Sequence, residues 1–444
     1  MSTEILNTYA KYDSYKDSGV DWLGDVPSDW GVIKLKHLVS IRKRIIGHEG
    51  VGVLSITQKG IKVKDITSGE GQLSMDYSKY QVVDKGDFAM NHMDLLTGYV
   101  DISKFDGVVS PDYRVFTNDS QNADDSYLLK IFQMGYAQKI FFKYGQGVSM
   151  LGRWRLPADN FNEFLVPLPS LKEQKKIIGF LEQKTTQIDQ AIDLKQQQIK
   201  RLNEYKRIII QNAVTKGINS DAKMKDSGID WIGYIPEHWN IKKSKFLFEF
   251  SKGLTITKDN LQDSGVLCVN YGEIHSKYGF ELRPNEHELK YVDTSYIDSN
   301  PRALLNNGDF VFADTSEDIE GSGNFTYING TANIFAGYHT VIAKPAIGFN
   351  SRFVAYIFDS ISYRSQIRHR VKGVKVYSIT QSMLKNTFIW LPPKQEQENI
   401  VNYLDKILFK VTQANDAYKT EIERLKEYKT ILINQAVTGK IKVS

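Results

Sequence analysis

The chain writes part of itself twice, and this limits its possible architectures more than any other feature. Asp17-Ser18-Gly19-Val20-Asp21-Trp22-Leu23-Gly24 returns as Asp226-Ser227-Gly228-Ile229-Asp230-Trp231-Ile232-Gly233, an offset of 209, and Pro27-Ser28-Asp29-Trp30 returns as Pro236-Glu237-His238-Trp239. Further on, Leu168-Pro169 with Glu173-Gln174 returns as Leu391-Pro392 with Glu396-Gln397, and Glu204-Tyr205-Lys206 as Glu427-Tyr428-Lys429, now at an offset of 223. The shared blocks bracket two dissimilar stretches, the second longer by 14 residues. A constant frame with two variable inserts suits a chain that recognises two different things at a fixed separation.

Length agrees with this division. A prior of about 150 residues per domain gives roughly three units, and the repeat sharpens that to two globular domains plus a frame. Hydrophobic content of 41% and charged content of 25% are ordinary for a soluble protein. No apolar run reaches the roughly 18 residues of a membrane span, and Met1-Ser2-Thr3-Glu4-Ile5 lacks the features of a signal peptide, so a cytoplasmic location is expected. The single cysteine, Cys268, excludes an internal disulfide and a multi-thiolate zinc site, and its neighbours Val266-Leu267-Val269 make it a small buried hydrophobe. The eight histidines show no paired helical spacing, and no metal is expected.

Net charge is +5, unevenly spread. Residues 28–165 and 237–390 each carry 17 basic and 16 acidic side chains, whereas residues 170–225 carry 12 against 6. Contact of the inserts with a polyanion must therefore use local clusters, or a partner that supplies much of the phosphate attraction.

The frame reads as two long helices, 171–214 and 394–437. From Lys172 to Val214 there is no proline, and Ile177, Leu181, Ile188, Ile192, Ile199, Leu202 and Ile209 mark one apolar seam. The second copy repeats it as Ile400, Leu404, Val411, Asn415, Ile422, Leu425 and Leu432, with one polar substitution that either fixes register or faces solvent. Each copy starts after proline with Glu-Gln in its first turn, where negative charge suits the helix dipole, and loses the pattern at Gly217 or Gly439. Helices of about 60 Å with so narrow a seam bury it best against one another. The order insert, helix, insert, helix makes the pair antiparallel and sets the inserts at opposite ends.

The inserts show short β-type runs, such as Gly52-Val53-Leu54-Ser55-Ile56, Tyr113-Arg114-Val115-Phe116-Thr117 and Phe310-Val311-Phe312-Ala313, broken by Gly- and Asp-rich turns. Gly86-Asp87-Phe88-Ala89-Met90 matches Gly308-Asp309-Phe310-Val311-Phe312, and Gly147-Val148 matches Gly373-Val374, so the inserts read as one fold with diverged surfaces. Before the later glycines each copy has a helical stretch with basic residues four apart: Arg364, Arg368 and Lys372, with Arg370 and Lys375 nearby, and Lys139 and Lys143, followed by Gln146, Arg153 and Arg155. That spacing puts the charges on one face, suited either to a phosphate backbone or simply to solvent. Arg42-Lys43-Arg44 and Lys252 are further backbone candidates. Base reading favours Arg or Lys on guanine and Asn or Gln on adenine. Gln58, Lys59, Asn91, His92, Gln146 and Arg153 fit that role in the first insert, and Asn270, Ser316, Lys372 and Lys375 in the second. Trp22, Trp30, Trp231 and Trp239 lie in the shared frame and are expected to seat each insert on the helices.

Catalytic patterns are missing. There is no Gly-x-x-x-x-Gly-Lys-Ser/Thr loop and no Asp/Asn-Pro-Pro-aromatic tetrapeptide of an amino-methyltransferase. Gly321-Ser322-Gly323 and Gly69-Glu70-Gly71 lack the setting of a cofactor loop, and no nuclease Asp/Glu-x-Lys follows Pro111-Asp112 at nearby spacing. A self-contained DNA methyltransferase or nuclease, and a coiled-coil adaptor that never reads DNA, are the rival readings.

Two copies of Gly-x-x-Pro-x-x-Trp (Gly24 to Trp30 and Gly233 to Trp239) entering a variable domain, two copies of Leu-Pro leading to Glu-Gln and a long helix, and their order resemble the DNA-specificity (S) subunit of type I restriction-modification systems, over essentially the whole chain. The resemblance implies an α+β fold: two small β-rich target recognition domains joined by two long antiparallel coiled-coil helices, with an internal pseudo-two-fold repeat. Frame segments at 1–27 and 221–236, recognition domains at 28–165 and 237–390, a central helix and linker at 166–220 and a C-terminal helix at 391–444 follow. In such a subunit each domain reads half of a split, asymmetric double-stranded DNA target. The helices act as a ruler and dock two methyltransferase subunits, which bring S-adenosylmethionine, while two ATP-driven restriction subunits complete the assembly. The chain itself would be non-enzymatic and need no cofactor. Because base contacts vary by design within this family, no individual contact carries over.

Overall fold

The computed structural model describes residues 8–65, 76–147, 154–373 and 375–443. Two compact units partition the chain, Met1–Gln196 with Lys419–Ser444, and Gln197–Tyr418. In both, the frame motif forms a small hairpin: β1 (Tyr15–Asp17) with β2 (Asp25–Pro27) in unit 1, and β13 (Met224–Asp226) with β14 (Tyr234–Pro236) in unit 2.

In unit 1, β3 (Gly31–Lys34) leads into β4 (Val39–Arg42), and β5 (Leu54–Thr57) and β6 (Gly60–Val63) form a hairpin. The strands β7 (Gln81–Val83), β8 (Phe88–Met90), β9 (Val100–Ile102), β10 (Gly107–Val109) and β11 (Arg114–Asn118) follow. The main sheet is antiparallel in the order β4-β11-β8-β9. Helix α1 (Asp125–Ala137), capped by Asp124 on the amides of Ser126 and Tyr127, presses Phe132 against Phe116, centroids 5.2 Å apart. Phe116 in turn stacks on Phe88 at 4.9 Å. Short helices α2 (Ile140–Lys143) and α3 (Ala158–Glu163) precede β12 (Leu165–Leu168), which pairs with β3 and returns the chain to the frame. Helix α4 (Leu171–Lys216) begins there.

Unit 2 repeats this plan. Strand β15 (Asn240–Lys243) pairs with the late β27 (Phe388–Leu391), as β3 does with β12. The main sheet has the order β16 (Phe248–Lys252), β25 (Thr340–Pro345), β21 (Phe310–Ala313), β23 (Phe325–Ile328) and β18 (Glu281–Leu282). Thus β16, β25, β21 and β23 stand where β4, β11, β8 and β9 do. A second sheet, in the order β19 (Lys290–Val292), β17 (Val266–Val269), β24 (Ile334–Ala336), β20 (Leu304–Leu305), buries Cys268. Helix α5 (Tyr271–Ser276) follows β17, and β22 (Thr315–Ser316) pairs with β26 (Tyr377–Ser378). Helices α6 (Ser351–Asp359), α7 (Ile361–Arg368) and α8 (Gln381–Lys385) correspond to α1, α2 and α3, and α9 (Lys394–Val437) starts after β27. The shared Gly-Asp before β8 and β21 is one turn used twice: Asp87 accepts from the Asp84 amide at 2.8 Å, and Asp309 from that of Asn306 at 2.8 Å.

Both long helices contribute to both units, and in each they run antiparallel. In unit 1, Asp189 of α4 meets Lys429 of α9 at 2.7 Å, while Lys195 meets Glu421 at 2.5 Å. In unit 2, the polar seam residue Asn415 donates to Asn203 at 3.0 Å, an exposed cross-helix pair. The predicted seam holds at Ile177, Leu181, Ile188, Ile400, Leu404, Val411, Ile422 and Leu432, all buried. It shifts at the end of α4, where Ile210, Ala213 and Val214 are buried and Ile209 is only half-buried, because this stretch enters the core of unit 2.

The helix ends explain the repeated Trp and Glu-Gln. Trp30 is fully buried and donates Nε1 to Glu173 Oε2 at 3.2 Å, and Trp239 does the same to Glu396 Oε1 at 3.2 Å. Gln174 accepts from the Asp124 amide and donates to the carbonyls of Pro169 and Asn122. Gln397 accepts from the Asn350 amide and donates to the carbonyl of Pro392. Each Glu-Gln therefore joins the frame hairpin to an insert helix, a role more specific than the expected dipole effect. At the far end of each helix, Gly217 and Gly439 take φ +75° and +71°, and a Cβ at Gly439 would collide with Pro27 and press on Trp30. The orphan carbonyls just before these glycines are satisfied by different side chains, Val214 by Trp390 Nε1 and Val437 by Tyr127 Oη.

Candidate nucleic-acid interface

In unit 1 three loops converge beyond the C-terminal end of β8. The β5–β6 turn carries Gln58 and Lys59, both exposed, and Gln58 Nε2 donates to Thr97 O at 3.3 Å in the loop 91–98. That loop meets the third segment through Leu95 N to Trp154 O at 3.1 Å and Leu156 N to His92 O at 2.9 Å. Gln146 and Arg155 close the third segment with reciprocal backbone hydrogen bonds of 2.8 and 3.0 Å, and both side chains are exposed. Gln58, Lys59, Asn91, His92, Gln146 and Arg155 thus sit on mutually bonded segments. Arg153 lies outside the described residues.

Their surroundings are not equivalent. Asn91 spends its main-chain carbonyl on Tyr136 Oη at 2.7 Å and its side chain on the Met93 amide. His92 is pushed down to about 4 by burial, with the charges of Arg114 and Arg155 adding, so near neutral pH it is an uncharged ring. Arg114, which the sequence reading passed over, lies buried beneath the site: it donates to Leu156 O at 2.8 Å and covers the Phe161 ring at 4.7 Å. Nothing in its immediate sequence distinguishes it from a strand surface residue.

Several basic candidates are held in ion pairs within the domain. Arg42 makes a two-pronged ion pair with Asp119 at 2.8 and 2.9 Å and donates to Thr117. Arg44 is paired with Asp84 and Asp87. In the antiparallel register Asp87 precedes β8 and Asp119 follows β11, so these carboxylates lie at the opposite end of the sheet from Asn91. Lys43 is exposed and has no ion pair among the described residues. The expected helical face through Lys139 and Lys143 is corrected: Lys139 has φ +56° and breaks the chain between α1 and α2, while Lys143 ends α2. Both remain exposed.

Unit 2 assembles its counterpart at the same place. Ile379 N donates to Asp314 O at 2.7 Å, as Leu156 does to His92. Here too the predicted stripe is corrected, since α7 ends at Arg368 and Lys372 lies beyond it. Arg364 donates to Asn324 Oδ1 at 2.7 Å and pairs with Asp359 at 3.1 Å. Arg368 pairs with Glu320 at 2.9 Å, and both arginines brace the loop 314–324. His275 braces it from α5, with Nε2 at 2.8 Å from Thr315 O and Nδ1 at 2.9 Å from Asn324 Nδ2. Asn270 is buried and forms a capping box with Glu273 at the start of α5. Ser316 is buried in the β22–β26 pair. The pattern Asn-x-x-Glu was the available signal for the first of these. Arg370 donates to Met383 O at 3.4 Å. Lys252, Lys372 and Lys375 are exposed and carry no ion pair among the described residues. The remaining frame tryptophans differ: Trp22 stacks on Phe164 at 5.5 Å, whereas Trp231 is exposed beside His369.

A β-rich domain whose loops gather polar and basic side chains, mounted by a buried Trp–Glu joint on a long helix and then repeated, defines a tandem recognition protein. The chain belongs to the family described as the type I restriction modification DNA specificity domain, which matches it twice, at residues 27–204 and 236–424. The MjaVIII type I restriction enzyme specificity subunit of Methanocaldococcus jannaschii is 23% identical, over 94% of each chain. The putative MjaX specificity subunit of the same organism is 23% identical over 99% of each. A solved chain from work on complex assembly and conformational transition of the type I R-M system superposes with a TM-score of 0.67 at 16% identity, covering 93% of this chain and 98% of that one. That likeness concerns the fold.

Proposed function

We propose that residues 28–165 and 237–390 each read one half of a split, asymmetric target on double-stranded DNA. The paired helices set the gap between the halves and dock two methyltransferase subunits, and restriction subunits join the full complex in the cytoplasm. The observation that carries this reading is the reuse of one frame beneath two dissimilar loop clusters: the Trp–Glu joint, the Gly-Asp turn and the tie from Leu156 or Ile379 recur, while the loops they support do not. Within the loops, Gln58, Lys59, Gln146 and Arg155 on one side and Lys372 and Lys375 on the other are the exposed groups suited to bases and phosphates.

Comparing the methylome of cells carrying and lacking the gene tests the reading. A two-part methylated motif with a fixed gap should vanish with the gene, and exchanging residues 28–165 for another family member's insert should change one half only. Unchanged methylation, or loss of both halves on exchange of one correctly folded insert, would overturn it.

A further inference from the structure

The Trp239–Glu396 joint fixes the second insert at the first turn of α9, and a body held at one point can still tilt about it. Unit 2 has a second fixing point nine residues further along the helix, about 13 Å at 1.5 Å per residue. Arg352 of α6 places Nε 2.8 Å from both carboxylate oxygens of Asp405, and Tyr356, one turn on, donates its hydroxyl to the same carboxylate. The rest of the guanidinium reaches back into the insert: Nη1 donates to Tyr327 Oη at 2.6 Å and lies 3.0 Å from Glu281 Oε1. Tyr327 in turn donates to Glu281 at 3.0 Å. Tyr327 is the third residue of β23, the strand that emerges from loop 314–324, and Glu281 is in the neighbouring β18. One side chain thus ties the long helix to the strand on which a candidate reading loop ends.

The other unit serves as a reference. Shifted back by 223, Asp405 is Glu182 of α4, so the frame sets a carboxylate at the same height on both long helices. Helices α1 and α6 align through their caps, Asp124 and Asn350, whose amides donate to Gln174 and Gln397. That alignment puts Ser126 where Arg352 stands and Lys130 where Tyr356 stands. The charge of Lys130 is opposed by burial and by Lys429 and favoured by Glu182, Asp101 and Asp189, and it makes no ion pair among the described residues. The frame offers the carboxylate twice, and only the second insert clamps it.

We infer that Arg352 is a positioning residue for DNA recognition: by clamping the second reader to Asp405 it sets the reader's angle on α9, and thereby the gap at which the second half-site is accepted. The inference rests on the reading that the inserts read DNA and the helices measure the gap. A helix measures a distance only if the reader mounted on it cannot swing. Successive base pairs are about 3.4 Å apart, so a slight tilt about the Trp239 joint is enough to admit the next spacing. An ion pair two and a half turns from the joint opposes such a tilt with the advantage of a lever, and its tie to β23 carries the constraint to loop 314–324.

The test uses the full chain in complex with the methyltransferase subunits of its own system, and the two-part motif that its methylome reveals. Duplexes with the cognate gap, and with gaps one base pair shorter and longer, compete for the complex. Arg352→Met and Asp405→Asn should each lower the preference for the cognate gap by about tenfold or more, while discrimination against a base change inside either half-site stays within about twofold. Glu182→Gln, which breaks no ion pair, should leave the gap preference within about twofold. An unchanged preference in both unit 2 variants would overturn the proposal. So would an equal fall in Glu182→Gln, or a uniform loss of affinity for all duplexes, the mark of a contact that only stabilises the fold. Asp405→Asn leaves Arg352 its partners Tyr327 and Glu281, so it carries the test if Arg352→Met does not fold; unfolding of both would make the pair part of the core and also overturn the proposal. A wild-type complex without a fixed-gap motif would overturn the underlying reading itself, an outcome distinct from a fixed gap that ignores Arg352.

Discussion

Trp30 donates its indole N–H to the carboxylate of Glu173 at 3.2 Å, across 143 residues of sequence. Trp239 and Glu396 repeat the contact in unit 2, also at 3.2 Å. Two blocks that look like separate repeats in the sequence are thus the two halves of one joint. Tyr12 adds a second donor to Glu173 at 2.5 Å, and His238 takes the corresponding place on Glu396 at 2.7 Å. An insert can change its loops freely while this joint keeps its seating, which is the requirement a modular reader imposes.

Trp30→Phe retains most of the buried ring and removes the donor, leaving Glu173 short of a partner. A hydrogen bond to a charged group contributes about 1.5–3 kcal/mol, and unit 1 should lose about that much in urea unfolding. Trp239→Phe should cost unit 2 a similar amount. Unchanged unfolding midpoints would show that the indole acts by packing alone.

The basic residues around α7 should separate into two groups. Lys372→Glu and Lys375→Glu alter exposed side chains and should weaken DNA binding with the melting temperature unchanged, each lowering the salt-dependence slope by about 1 if its lysine meets a phosphate. Arg364→Glu breaks the contacts to Asn324 and Asp359 and should chiefly lower the melting temperature. A fall in stability for Lys372→Glu equal to that for Arg364→Glu would erase the distinction.

What was legible in the sequence was periodic or repeated. The seam, up to its shift at the end of α4, and the shared Gly-Asp turns follow local rules, and the structure keeps them. Side-chain partnerships were not legible, because they are set by the tertiary fold. Nothing near Arg42 announces Asp119, and nothing near Arg44 announces Asp84 or Asp87. Lys139 reads as helical because a lysine seldom takes positive φ, and only the turn between α1 and α2 imposes it. Asn270 looked like a base reader although its capping box stood in the sequence, since a polar residue in a loop advertises both roles equally.

Cys268 is fully buried in the second sheet of unit 2, and burial pushes its thiol up to about 12, with Glu273 adding to the effect. Little thiolate exists near neutral pH, so the native chain should resist a thiol-disulfide reagent and react only on unfolding. Stoichiometric labelling of the folded protein within minutes would contradict this placement.

His92 gives the loop cluster of unit 1 a pH signature. Its folded value is pushed down to about 4, chiefly by burial, from an ordinary 6.5. Above 6.5 the ring is neutral in both states and its contribution to stability is fully present. As pH falls from 6.5 toward 4, the unfolded chain takes up a proton that the folded chain refuses, so the contribution is progressively lost. By linkage it should amount to about 1–2 kcal/mol near pH 5. His92→Gln removes the titrating group, so the gap in unfolding free energy between wild type and variant should shift by that amount, against the wild type, between about pH 7.5 and about pH 5. A gap that stays constant over this range would mean that His92 is already accessible to protons in the folded loop, and the convergence of the three segments around it would have to be looser than the hydrogen bonds from Leu95 and Leu156 require.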